Sequence, residues 1–451
     1  MQPWDLTVAQ AARMIRSGEL SPVALMESLL EQIRRLEPSL KAWVTLDAEL
    51  ALAAARSSER ELKSHGPRGV LHGVPVGIKD IYYTKGILTT ACAPQYASFV
   101  PTYDATSVAR LKAAGAIILG KAVTTQFAAT DPSPTFNPWN PAHTPGGSSS
   151  GSAVAVASRM CPAALGSQTV GSTLRPAAYN GIVGLKPTYG RVSKYGVIPL
   201  AWSLDTVGIL ARSVEDAALL LQVMAGHDDQ DPSSSTLPVD DYLGAVAKPV
   251  TPPRIGLVRE FFYDHATEEV QCHTDLVVSH LRSAGAAVRE VGLPKSFHLH
   301  EAARAVVFSV EAAAFHQQMF AEGPTAYGPL LRRLIEAGSL IAGVDYIQAQ
   351  RVRRQFRNEM EALLAEVDVL LTPATPSPAP RDRATTGDPL FQGAWTSCGL
   401  PCVAIPSGLS GDGMPLGVQL ASAPFAEARL LAAAQWCEAA LGVTLMPPVL
   451  E

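Results

Sequence analysis

From Thr144 to Ala153 the chain reads Thr-Pro-Gly-Gly-Ser-Ser-Ser-Gly-Ser-Ala, a run of hydroxyls among glycines that admits three chemistries and one inert role. A phosphate-cradling loop would need a lysine after the last glycine, and Ser152 stands there instead. A nucleophile elbow is formally present in Gly147-Ser148-Ser149-Ser150-Gly151, with Ser149 at its apex. That arrangement needs a histidine late in the chain, and none follows His316. The inert role is a flexible spacer. Against it, a proline precedes the glycines and the helix-forming run Ala153-Val154-Ala155-Val156-Ala157 follows, so an ordered loop entering a helix is expected. The third chemistry makes Ser148 one member of a nucleophilic set. A serine hydroxyl is a weak nucleophile at neutral pH and needs a base. With no suitable histidine, a neutral lysine is the next choice. Lys79 closes the apolar run Val74-Pro75-Val76-Gly77-Ile78, where burial would disfavour its ammonium form. The competing role for Lys79 is a strand-end side chain reaching for solvent.

These residues fall within longer motifs. Gly77-Ile78-Lys79-Asp80, Pro145-Gly146-Gly147-Ser148-Ser149 and Gly171-Ser172-Thr173-Leu174-Arg175-Pro176-Ala177 occur in that order. Gly181-Ile182-Val183-Gly184-Leu185-Lys186-Pro187-Thr188-Tyr189-Gly190-Arg191 follows them. In this the chain resembles the amidase signature enzymes, strongly from about Val70 to Gly226. The likeness is weaker around Leu400-Pro401, Ile405-Pro406-Ser407-Gly408 and Leu416-Gly417-Val418-Gln419-Leu420. The resemblance implies a Ser–cis-Ser–Lys triad: Ser172 as nucleophile, Ser148 as the bridging serine after a cis Gly147–Ser148 peptide, and Lys79 as base. It implies an oxyanion hole from the backbone N–H groups of Thr169, Val170, Gly171 and Ser172. It implies a hydrolase that cleaves a C–N bond of a small amide, carbamate or ureide through an acyl-enzyme, with neither cofactor nor metal. Ser149 and Ser150 are expected to serve the loop's hydrogen bonds.

Two positions depart from the family pattern. Val170 stands where Gly is usual, and would be strained if the backbone there needs positive φ; otherwise it narrows the space beside the carbonyl. Gln168 stands where many relatives carry Asp. Arg175, three residues after Ser172, is a candidate to bind an anionic substrate end, with a structural ion pair as its competing role. Two other functions share the motifs: the glutaminase subunit of a tRNA-dependent amidotransferase, and a non-catalytic binding protein that kept the fold. The latter rests on Val170 alone.

The elements that must hold these residues read as α/β. Apolar runs at 73–78 and 116–119 alternate with a helical pattern at 107–114. Before them, Thr7 and Ser21-Pro22 can cap two helices, the second with an apolar stripe at Leu25, Leu29, Ile33 and Leu36. The 227–254 segment is rich in Asp, Ser and Pro and reads as a surface connection. Strands are expected again at 254–258, 367–371, 402–406 and 415–421, with helices at 302–320, 344–366 and 426–441. The expectation is therefore one domain over 1–451: a signature core at 70–226, the connection, and a 255–451 part that completes one mixed sheet covered by helices on both faces, the amidase signature fold. Substrate walls are expected from 128–139, 302–320 and 372–395, with Trp139, Phe308 and Trp395 available for an apolar pocket. The 451 residues carry a net charge of −5, with no basic excess to mark a nucleic-acid partner. No apolar stretch is long enough for a membrane span, and the N-terminus lacks a signal-peptide pattern. Six thinly spread cysteines suit reduced thiols; a zinc site at Cys398 and Cys402 would lack its other ligands. A cytoplasmic enzyme acting on a small-molecule substrate, with homodimerisation a base-rate expectation, is the reading that results.

Overall fold

A computed structural model describes residues 2–247 and 251–450. Eleven strands form one sheet: β1 Trp43–Thr45, β2 Pro75–Lys79, β3 Ile117–Ala122, β4 Ala163–Gln168, β5 Val183–Lys186, β6 Thr206–Ala211, β7 Arg254–Leu257, β8 Ala287–Glu290, β9 Val369–Pro373, β10 Cys402–Leu409 and β11 Pro415–Ala421. Their order is β1-β3-β2-β4-β6-β5-β10-β11-β9-β7-β8. The first six strands build one half and the last five the other. The halves meet where β5 pairs antiparallel with β10, Leu185 opposite Val403. The sheet is mixed: β2 runs parallel to both β3 and β4, whereas β4–β6 and β10–β11 are antiparallel.

Neighbouring strand residues belong to different apolar cores because side chains alternate between the two faces of a sheet. Leu165, Ile209, Val403 and Leu371 enter one core, while Ala164 and Leu210 enter a second, and Ala404 and Leu370 a third. Burial on both faces explains why the central strands read as unbroken apolar runs. Helices cover the sheet. Two begin as their capping residues dictate: Thr7 accepts from Gln10 N before Val8–Ser17, and Ser21 accepts from Val23 N and Ala24 N before Pro22–Leu40.

The expected helices and strands after residue 100 are present with shifted ends, the 302–320 helix extending to Phe297–Glu322. The surface connection is more structured than its composition implies. Helix Tyr242–Ala247 lies inside it, and Tyr242 is fully buried. Tyr242, with Val239, Leu243 and Val246, packs against the main core and seats the segment despite its many polar neighbours. Residues 248–250 of that connection, with Met1 and Glu451, lie outside the described residues. Among the described residues no helix is long and apolar enough to cross a membrane.

Candidate active site

The parallel pairing of β2 with β4 sets Gly77 beside Ala164 and Ile78 beside Leu165, so the two strands deliver their C-terminal ends side by side. Ligand sites in open α/β sheets form at such ends. Lys79 is the last residue of β2; Ser167 and Gln168 are the last of β4, and Ser172 follows in the next loop. Ser148 arrives from the other direction, in the loop that enters helix Ser150–Ala157. All eight residues of that helix are buried. Gly151 permits this placement: a Cβ there would come within 2.3 Å of the Ala42 carbonyl oxygen and 2.4 Å of Val123 N. The Gly147–Ser148 peptide is cis, as the resemblance implies.

Lys79 has no solvent exposure. Its Nζ lies 2.7 Å from Ser148 Oγ, 2.8 Å from Ser167 Oγ and 3.0 Å from Ser149 Oγ. Loss of hydration disfavours the ammonium form and pulls the Lys79 pKa down to about 7, with Asp205 the leading opposing charge. The solvent-reaching role is thereby excluded. Ser149, expected only to hold the loop, touches the lysine as well, and Ser167 joins the cradle unanticipated. Ser149 also donates to Ser167 O and accepts from Ser167 N, tying the serine loop to β4.

Behind the lysine sits a second buried pair. Asp80 and Lys121 are both fully buried, 3.4 Å apart. Lys121 Nζ donates to Tyr82 O and Thr89 Oγ1, each at 2.6 Å, and Thr90 N donates to Asp80. This network fixes the backbone that leaves β2 just after Lys79.

Ser172 retains 9% exposure against 1% for Ser148, so it is the more accessible of the two hydroxyls. Ser149 N donates to Ser172 O at 3.3 Å, which joins the two serine segments. The expected chain of three side chains is complete only in its first link: among the described residues no side-chain hydrogen bond joins Ser148 to Ser172. Contacts between catalytic hydroxyls often tighten only with substrate present.

The amides of Val170, Gly171 and Ser172 donate to no protein acceptor among the described residues, a rare state for backbone N–H groups in a protein interior. The Thr169 side chain donates to Asp205 at 2.6 Å. Val170 has no positive φ, so valine is tolerated there without backbone strain. Its side chain packs toward Gly393, where an added Cβ would lie 3.6 Å from Val170 Cγ1. Gly171 lies in a close approach: a Cβ there would come within 2.7 Å of Gln392 Oε1, so the Gln392 side chain would have to shift.

Arg175 is buried and makes no ion pair among the described residues, which removes the structural ion-pair role. Its Nη2 donates to Gly147 O at 2.7 Å and Thr386 Oγ1 at 3.0 Å. Its Nε and Nη1 have no partner. A guanidinium buried with free donors is equipped to receive an anion.

A cavity of about 510 Å³ reaches Ser167 and Thr169, walled by Tyr82, Tyr195, Ile198, Leu200 and Trp202. The three aromatic residues expected to line a pocket lie elsewhere. Trp395 is fully buried and stacks on Phe262, Trp139 donates to Asn180 O, and Phe308 is in the main core. Of the wall segments, 128–139 reaches the cavity through Ala128 and 372–395 reaches the site through Thr386 and Gln392. Aromatic residues fill cores as readily as pockets, so their sequence positions did not discriminate.

The sequence matches the Amidase family over residues 24–431. The chain belongs to that family. The A subunit of glutamyl-tRNA(Gln) amidotransferase from Azotobacter vinelandii is 40% identical over 463 residues, covering 94% of this amidase and 95% of that protein. The same subunit from Pseudomonas aeruginosa is 39% identical, covering 95% of each. Among solved structures, native peptide amidase from Stenotrophomonas maltophilia superposes with a TM-score of 0.87 at 30% identity, over 98% of both chains. Another amidase gives 0.85 at 32% identity, over 96% of this chain and 99% of that one. The fold is thus the amidase fold and the enzyme an amide-cleaving hydrolase.

Proposed function

We propose that this amidase hydrolyses a small amide, carbamate or ureide with Ser172 as nucleophile, Ser148 as bridge and Lys79 as base. The observation that carries the reading is the fully buried Lys79 amine 2.7 Å from Ser148 Oγ. A neutral amine has two N–H groups and one lone pair, so one of its three hydroxyl neighbours must donate to it. Ser149 spends its hydrogen on Ser167 O. Ser148 is then the donor nearest to Nζ, and its oxygen is free to take the proton of Ser172. Ser172 Oγ attacks the carbonyl carbon, and the free amides of Val170, Gly171 and Ser172, with Thr169 beside them, receive the developing oxyanion. Reversal of the relay protonates the leaving nitrogen, the C–N bond breaks and an acyl-enzyme remains. Water, deprotonated along the same path, releases the acid and restores Ser172.

The base works only when uncharged. The kcat/KM profile should therefore rise through a midpoint near pH 7 and fall with unit slope below it. Asp205 is the main charge favouring the ammonium form, so Asp205→Asn should move that midpoint down. A pH–rate series on both proteins checks this; a midpoint near 10, that of an ordinary lysine, would contradict the role of Lys79.

Arg175 would hold an anionic end of the substrate through its unpartnered donors, with the cavity taking the uncharged remainder. Arg175→Met should raise KM for a carboxylate-bearing amide by roughly 10–100-fold, the range for a lost hydrogen bond to a charged group. KM for a neutral amide should stay within about twofold. Equal KM increases for both would assign Arg175 to Gly147 and Thr386 alone.

One finding favours a second reading: relatives at 37–40% identity over nearly the whole chain are amidotransferase A subunits. On that reading the chain would hydrolyse glutamine only beside partner subunits. The purified chain alone, offered a panel of amides, carbamates and ureas, separates the two. Turnover without partners supports the hydrolase; glutaminase activity appearing only with added partner subunits supports the alternative. The first reading also has the enzyme acting in the cytoplasm, without nucleic acid or membrane, as a monomer or homodimer.

A further inference from the structure

Four hydrogen bonds enclose the loop between β4 and the nucleophile. Gln168 Oε1 accepts from both Thr173 N and Leu174 N at 3.0 Å. Gln168 Nε2 donates to Thr396 Oγ1 at 3.0 Å. Thr396 Oγ1 in turn donates to Val170 O at 2.8 Å. Gln168 has no exposure and Thr396 has 2%, so water does not compete for these groups.

The polarity of the circuit is fixed by its ends. Two backbone N–H groups can be served only by the carbonyl oxygen of Gln168, which leaves its NH₂ facing Thr396. Thr396 has one hydroxyl hydrogen. Because its oxygen already accepts from Gln168, that hydrogen goes to Val170 O. In a planar trans peptide the carbonyl and the following N–H point in opposite directions. Holding Val170 O against Thr396, on helix Leu390–Ser397, therefore aims Gly171 N–H away from that helix. That amide is among those in the loop that find no protein acceptor among the described residues.

We infer that Thr396, backed by Gln168, is a positioning residue that sets the oxyanion-binding direction of the Gly171 amide. The inference rests on the proposed reaction at Ser172. Neither side chain has to touch substrate. Gln168 suits the task through its chemistry: a carboxylate at this position could accept from Thr173 and Leu174 but could not donate to Thr396. Gln168 holds Thr173 and Leu174 just after Ser172, and Thr396 holds Val170 just before it, so the circuit ties both sides of Ser172 to a helix from the far half of the chain. The oxyanion loop thus becomes a braced turn between two rigid elements, and preorganisation of this kind gives an oxyanion hole its catalytic effect.

Thr396→Val keeps the side-chain shape and removes the hydroxyl. On the amide that the wild-type chain turns over best, kcat should fall ~10–100-fold, somewhat less than for loss of a whole donor. KM should stay within about twofold and the pH midpoint should not move, because Lys79 is untouched. Affinity for an aldehyde bearing the same acyl group, which binds as a tetrahedral adduct, should fall by the same factor as kcat. Thr396→Ser should restore both to within about threefold. In a Gln168→Met background, Thr396→Val should cost much less than in the wild type, since both act through one circuit.

A Thr396→Val enzyme with wild-type kcat and aldehyde affinity would overturn the inference while leaving the Ser172 reaction standing. So would a loss that Thr396→Ser fails to restore, or one matched by a shifted pH midpoint. A wild-type chain inert toward every amide, carbamate and urea, and toward glutamine with partner subunits added, would overturn the reaction and the inference together.

Discussion

Replacing Ser172 by alanine is expected to reduce amide turnover by on the order of 10⁴–10⁶-fold while leaving the protein folded, the scale seen when a covalent nucleophile is removed. In the proposed reaction Ser172 provides the only atom that bonds to the acyl carbon, so nothing else in the cradle would substitute for it. Ser148 has 1% exposure and its neighbour Ser149 is already engaged with Ser167 and Lys79. The substitution removes one hydroxyl that makes no side-chain hydrogen bond among the described residues, so stability should change by less than about 1 kcal/mol. Rates with the best amide, thermal unfolding, and labelling by a serine-directed fluorophosphonate check the prediction. Labelling that persists in the alanine variant would move the nucleophile to another serine.

Lys79→Met should be the next most damaging change, with kcat/KM down roughly 10³–10⁴-fold, toward the upper end of the range for general acid–base catalysis. Methionine fills similar volume but offers no lone pair, so Ser148 would have no acceptor for its proton. The effect must include the loss of the pH 7 limb, because the titrating group is gone. Residual activity should rise with hydroxide instead. The fold should survive, since burying an amine without a carboxylate partner is itself costly and an apolar side chain avoids that cost. A Lys79→Met enzyme that keeps half its rate, or keeps the same pH limb, would exclude Lys79 as the base.

Residues near in sequence to the chemistry were readable directly. Lys79 ends an apolar run, which made a buried lysine with a lowered pKa one of two readings; the cover on both faces of β2 decided against a side chain reaching for solvent. Pro145 to Ser149 followed by an alanine-rich stretch dictates an ordered loop feeding a buried helix. The capping residues Thr7 and Ser21 announced two helix starts. The long ordered motifs, together with the family resemblance, were enough to propose Ser172 and the cis Gly147–Ser148 bond.

Sequence by itself therefore pointed to an α/β fold through local periodicity, and, through motif order and the family resemblance, to Lys79 as the proposed base and to the serine segment that meets it. Tertiary structure alone decided what surrounds them. Ser167 reaches Lys79 across 88 residues of chain, and Gln168 reaches Thr396 across 228. Both contacts exist only because β2 pairs with β4 and because β10 joins the two halves of the sheet. Whether Arg175 met a carboxylate or stayed unpaired, and whether Trp395 lined a pocket or filled a core, depended on the same pairings. A residue's type and spacing set what it can do, and strand order, which no local pattern encodes, sets which partners it meets.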